Sequence, residues 1–193
     1  MRILFAGASG VLGRATLPHL ERHEVVGLTR SPAKVELVRS RGAEAVVCDV
    51  YDYQALLAVA ERWRPEIVVN FLTDLAGRSA QANSRIRREG AANVHQAAAE
   101  AGARRLVVES VAFPLEGDAQ QAVEELEHAT RQFHGEAVIL RFGRLWGPDT
   151  FHARPPEPPS IAVDAAGAEA ARLLVASPPG TYVLAEGHLL GLG

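Results

Sequence analysis

A chain of 193 residues is long enough to bury a full hydrophobic core and short enough to form one domain. Hydrophobic residues make up 48%, charged residues 22% and the net charge is −3, an ordinary globular composition without the basic surplus that would draw a protein to nucleic acid or an anionic membrane surface. The lone Cys48 cannot form an intramolecular disulfide and suits a reducing compartment, and no apolar stretch nears the roughly 18 residues of a membrane span. The first residues read as a core strand with no room for a signal peptide, so the expected location is the cytoplasm.

Arg2 to Thr16, RILFAGASGVLGRAT, opens with an apolar strand and runs through Gly7, Gly10 and Gly13 into a helix-compatible segment. A bound diphosphate needs that order. Gly7 can turn tightly off the strand, Gly10 admits a ligand close to the backbone and Gly13 lets the helix approach the sheet, while the N–H groups around Ser9, Val11 and Leu12 face the anion. Val11 to Arg22 reads as a helix distorted at Pro18, and His23 to Thr29 as a second strand. That strand ends in Thr29-Arg30-Ser31, where a fold preferring a free ribose 2′-hydroxyl usually carries an acidic residue. Arg30, with Ser31 and Lys34 nearby, would face the adenosine ribose and favour NADP, with NAD kept open; the competing reading has Arg30 capping a solvated helix start.

Pro32 to Arg41 fits a second helix closed by Gly42, and Ala43 to Val50 a third strand ending in Asp49-Val50. Asp49 is also placed to N-cap a helix from Tyr51 to Trp63. Pro65 to Leu72 reads as a fourth strand, Ser79 to Ala101 as a long helix, Arg104 to Val111 as a fifth strand, Gln120 to Phe133 as a further helix and Glu136 to Phe142 as a sixth strand. Six alternations without an internal repeat imply an α/β, doubly wound parallel sheet. A proline-rich patch, ARPPEPPS, then precedes a helix from Ala165 to Ala176 and a closing strand from Gly180 to Leu184.

The G-x-x-G-x-x-G spacing resembles the glycine motif of the short-chain dehydrogenase/reductases, particularly the extended and atypical, NAD-dependent epimerase/dehydratase-like branches. The segment GAANVHQAAAEAG resembles their "GTxNxxxAA" helix, with Arg87 replacing the asparagine one turn earlier. Arg141 to Pro148 resembles "RxxxxYGP", and Ile161 to Ala166 resembles "IHVDDVA". The resemblance implies a Rossmann fold with helices on both faces. It places Asp49 and Val50 at the adenine ring, and Phe71, Leu72 and Thr73, after Asn70, along the ribose and nicotinamide side, with Ser110 also near the coenzyme. Only about a dozen residues part the last two motifs, so residues 143–193 are expected to form a much reduced substrate lobe within a single domain, 1–193.

Hydride transfer at a carbinol must be matched by proton transfer, which these enzymes perform with Tyr-x-x-x-Lys on the helix after the fifth strand. That helix here, EGDAQQAVEELEHATRQF, has neither residue, and Glu124, Glu125 and Glu127 read as a solvated face. The family's catalytic serine position falls on Val111. The seven histidines show no metal-ligand spacing, and neither a G-x-S-x-G elbow nor a Walker lysine is present. The catalytic residues are thus unassigned, and two functions stay open: a small NADP-dependent oxidoreductase or epimerase/dehydratase relative without the dyad, acting on an unidentified small molecule, or a non-catalytic NADP-sensing module, either as a monomer or a homodimer.

Overall fold

The computed structural model describes residues 1–74, 79–186 and 188–192, the last of these as backbone only. Strands β1 (Arg2–Ala6), β2 (Glu24–Thr29), β3 (Glu44–Val47), β4 (Ile67–Asn70), β5 (Arg105–Val111), β6 (Glu136–Phe142) and β9 (Gly180–Ala185) form a parallel sheet in the order 3-2-1-4-5-6-9. β10 (His188–Leu192) pairs antiparallel to β9, and β7 (Arg144–Trp146) with β8 (Ser160–Ala162) makes a separate parallel pair. The helices are α1 (Val11–Thr16), α2 (Val35–Arg39), α3 (Tyr53–Trp63), α4 (Ala80–Arg85), α5 (Ala91–Glu100), α6 (Gly117–Arg131) and α7 (Val163–Ala176). This is the doubly wound α/β architecture the alternation implies.

Strands of a covered parallel sheet send successive side chains to opposite faces, and both faces must be apolar. Accordingly Ile3 and Phe5 of β1 join one core with α1, α2 and α7, while Leu4 and Ala6 join the other with α3, α5 and α6. Phe5, Phe71 and Phe142 meet edge to face in the first core, with centroids 5.2 and 5.9 Å apart.

Element ends depart from the sequence reading for local reasons. Pro18 cannot supply an N–H to a continuing α-helix, so α1 stops at Thr16 and the chain continues as a 3₁₀ turn over Leu17–Leu20. β3 ends at Val47 instead of Val50, because the Asp49 carboxylate accepts the Tyr51 N–H and starts a turn. The N-cap of α3 is therefore Asp52, which accepts from the Ala55 N–H at 3.1 Å, and not Asp49. The expected long helix holds from Ser79, its N-cap, but a π turn over Ile86–Gly90 interrupts it between α4 and α5. Within the segment expected as a lobe remnant, α7 packs on α1, with Gly167 against Ala15, and β9 extends the main sheet; β7, β8 and the prolines between them lie outside that sheet.

Candidate functional site

β1 lies between β2 and β4, so the winding of the sheet reverses there and opens a crevice at the carboxyl ends of the strands. The register sets the sequence-predicted residues along that edge. Ala6 pairs with both Leu28 and Asn70, Thr29 with Val47, and Asn70 with Val108. Parallel pairing thus brings together the chain after Ala6, after Thr29, after Val47, after Asn70 and after Val108.

Gly7 has φ +93°, and a Cβ there would strike the Phe71 carbonyl; a Cβ on Gly13 would strike the Gly7 carbonyl and come within 2.9 Å of Ala8 Cα. Gly10 differs. Its Cβ would meet only the Gly7 oxygen, at 3.1 Å, which leaves the other side open, and no side chain caps the helix that begins after it. The N–H groups of a first helical turn have no partner within the helix, so Val11, Leu12 and Gly13 offer donors beside that opening. Two glycines therefore fit the turn to the fold and the third leaves a cradle.

At the end of β2, the exposed Arg30 guanidinium lies 3.3 Å from the Asp74 carboxylate, and so does not merely cap a helix start. The Asp74 N–H in turn donates to Asn83. Ser31 opens a 3₁₀ turn over Pro32–Lys34. The Arg85 guanidinium stacks 4.3 Å from the Tyr51 ring centre, and burial raises the Tyr51 pKa. Asp49 is exposed at this edge, whereas Val50 is buried and its carbonyl accepts from Asn93 at 2.8 Å. That bond gives a structural reason for the asparagine in GAANVHQ. Asp74 and Arg85 carried no recognisable signal, since an acid in a loop and an arginine among several on a helix look like any solvated charge.

Two expected contacts are drawn elsewhere. The Phe71 ring is buried in the aromatic cluster, so that residue offers the crevice backbone only, followed by the half-buried Leu72 and Thr73. Ser110 is wholly buried and donates to Glu127 at 2.7 Å. Glu127 corrects a further expectation. It is only 4% exposed rather than part of a solvated face, and it receives two hydrogen bonds from Arg141 and one from Arg131. Burial pushes its pKa up, but the hydrogen bonds from Arg141, Ser110 and Arg131 outweigh that and hold the carboxyl down at about 2. Glu124 and Glu125 do lie on the exposed face, bonded to Gln120 and Arg88.

The two sequence motifs meet in space. Arg14 of α1 donates to Asp149 at 2.9 Å, fastening the turn after β7 over the first helix. The strand end Val111, with Ala112, Phe113, Pro114, Leu115 and Val123, borders an open cleft of about 420 Å³. No tyrosine or lysine stands on α6, and Lys34, the only lysine, follows β2. Burial and the nearby Asp52 and Asp49 raise the Cys48 thiol to about 11, which leaves it without thiolate character at neutral pH. Among the described residues no group of histidine, cysteine and carboxylate side chains is arranged to hold a metal ion, and no helix is long and apolar enough to cross a membrane.

Residues 7–145 match the model of a family described as NAD(P)H-binding. The 3-diazoavenalumate denitrifying reductase of a Streptomyces species is 36% identical over 187 residues; the match takes in 80% of this chain and 59% of that protein. Among solved structures, a candidate NAD-dependent epimerase/dehydratase from Bacillus halodurans superposes with a TM-score of 0.81 at 21% identity, covering 98% of this chain and 95% of its own. The Bordetella bronchiseptica enzyme WbmG in complex with NAD gives 0.79 at 18% identity, covering 99% and 74%.

Proposed function

The chain belongs to the NAD(P)H-binding family, and from that premise we propose that it is a small NADP-dependent reductase whose hydride acceptor needs no proton donor from the protein. One observation carries the proposal: Gly10 leaves open space beside the first turn of α1, while α6, the helix after β5, has no tyrosine or lysine. The bound coenzyme would supply a hydride. The residues that would hold it are Gly7, Ser9, Gly10, Val11, Leu12 and Gly13 at the diphosphate, Arg30 and Ser31 at the adenosine ribose, Asp49 and Val50 at the adenine, and the Phe71-Leu72-Thr73 backbone further along.

Acceptor chemistry narrows the substrate. A ketone takes up a proton together with hydride, and without a positioned acid it forfeits about 10²–10⁴ in rate. An arenediazonium ion that accepts hydride loses dinitrogen and becomes the arene, with charge and atoms balanced and no proton consumed. A quinone can likewise accept hydride and take its proton from water. The denitrifying activity named for the Streptomyces relative is of the first kind, and the chain spans 59% of that relative's length. Among the described residues, the segment after β6 adds only β7, β8 and their proline-rich connection outside the main sheet and its helices, which favours a small substrate.

NADPH oxidation followed against ketones, aldehydes, nucleotide sugars, quinones and arenediazonium salts, each corrected for the reaction without protein, tests this. Turnover confined to quinones or diazonium ions is the expected result. Ketone reduction at an ordinary enzymatic rate, roughly 10 per second, would refute it, and tight NADP binding with no turnover of any class would favour the sensing module.

A further inference from the structure

The sheet carries a further cleft, apart from the coenzyme crevice. Along β6, Val138 and Leu140 face the core under α7, so Ala137, Ile139 and Arg141 face the α6 side, as do Thr181 and Val183 of β9, which pair with Ile139 and Arg141. α6 covers β5 and β6 on that side. Beside its last turn opens a cleft of about 510 Å³, lined by Arg131, Ala137, Ile139, Arg141 and Thr181 and within the size range of small-molecule sites. It lies on the flank of the sheet, since Thr181 stands at the start of β9, whereas the crevice opens at the carboxyl ends of the strands.

The charge on the wall of this cleft is out of balance. Arg131 and Arg141 share one acid, Glu127, whose carboxylate lies behind them with only 5% of its side chain exposed, while theirs are 48% and 33% exposed. Arg141 gives Glu127 its Nε and Nη2, and Arg131 its Nη2, so Nη1 of Arg141 and both Nε and Nη1 of Arg131 have no hydrogen-bond partner among the described residues. Arg88, by contrast, has two acids to itself, Asp118 and Glu125. A guanidinium stays charged throughout the physiological range and Glu127 is ionised, so the wall carries one positive charge in excess, and no carboxylate lines the cleft to cancel it. In a chain of net charge −3 that excess is local.

We propose that this cleft is a second ligand site, one that binds a small-molecule phosphate monoester. The donors left over come from two elements, the end of α6 and β6, and Thr181 of β9 adds a hydroxyl. Donors converging from several directions suit a tetrahedral group with three acceptor oxygens and close to two negative charges better than a planar carboxylate, which one guanidinium fork satisfies alone. Ala137 and Ile139 give the carbon part of the ligand an apolar floor. The site draws on none of the residues assigned to the coenzyme and does not depend on that reading.

The test is calorimetry on the full chain without coenzyme, with phenyl phosphate as the probe, benzoate as the carboxylate of similar shape and phenol as the neutral counterpart. Expected are binding of phenyl phosphate over both, a loss of its affinity of at least about tenfold in Arg131→Gln, and a loss of about threefold in Thr181→Val, which leaves the Glu127 cluster untouched. Gly10→Val and Arg30→Ala, which remove the two places where the coenzyme reading puts phosphates, should keep the affinity within about twofold of wild type. Absent binding, phenol or benzoate binding as tightly as phenyl phosphate, or an affinity unchanged in both Arg131→Gln and Thr181→Val overturns the proposal. So does an affinity lost in Gly10→Val or Arg30→Ala, which would put the probe in the coenzyme crevice. Failure of the intact protein to bind NADP, with phenyl phosphate still held through Arg131, would sink the coenzyme reading and leave this one standing.

Discussion

Replacing Glu127 by glutamine keeps the shape of the side chain and removes its charge. In the folded protein its carboxylate accepts from Arg141 at 2.7 and 2.5 Å, from Arg131 at 2.7 Å and from Ser110 at 2.7 Å. An amide in its place turns an NH₂ group toward donors that need an acceptor, and leaves part of the cluster unpaired. The pKa held at about 2 lies some 2.5 units below the ordinary 4.5. At about 1.36 kcal/mol per unit, that corresponds to about 3 kcal/mol of stability at pH 7. A depressed carboxyl contributes fully above its unfolded pKa and loses that contribution as pH falls through the folded value. At pH 3 the unfolded state has bound its proton and the folded state has not, so roughly half of that contribution remains. Urea unfolding of wild type and Glu127→Gln should therefore differ by about 3 kcal/mol at pH 7 and by roughly half as much at pH 3, other carboxylates cancelling in the difference. An equal gap at the two pH values would assign the loss to packing and refute the electrostatic account; a gap under about 0.5 kcal/mol at pH 7 would show that the cluster contributes nothing net.

Gly10→Val should abolish NADP binding by calorimetry while the protein stays folded, whereas Gly7→Val should unfold it, because only the latter Cβ drives into the Phe71 backbone. Arg30→Ala should cost about 1.5–3 kcal/mol of NADP affinity and little of NAD affinity; equal binding of both coenzymes by the intact protein would remove the basis for that role. Asp74→Asn should favour NADP further, since its carboxylate competes for the same guanidinium, 3.3 Å away. Glu109, whose folded pKa lies near 7, makes an opposite contribution to that of Glu127: it lowers stability as pH rises from 4.5 to 7, so Glu109→Gln should flatten that part of the stability profile.

The sequence by itself determined the elements and their winding, because buried strands, glycine turns and helix periods are local patterns and each is written in neighbouring residues. RILFAGASGVLG needs little beyond itself to form a strand, a tight turn and a helix start, and the six alternations leave a doubly wound sheet as the simplest way to cover both faces. Ends were legible only within a few residues: Asp49 is a good cap on paper, but its carboxylate accepts the Tyr51 N–H in a turn, and Asp52 caps the helix instead. Side-chain allegiance was decided by the tertiary structure alone. Phe71 belongs to the core because Phe5 and Phe142 come to it from β1 and β6, strands more than 60 residues away in either direction. Glu127 is a buried ion and Glu125 a solvated one, though only Leu126 stands between them, because only the first faces Arg141 of β6.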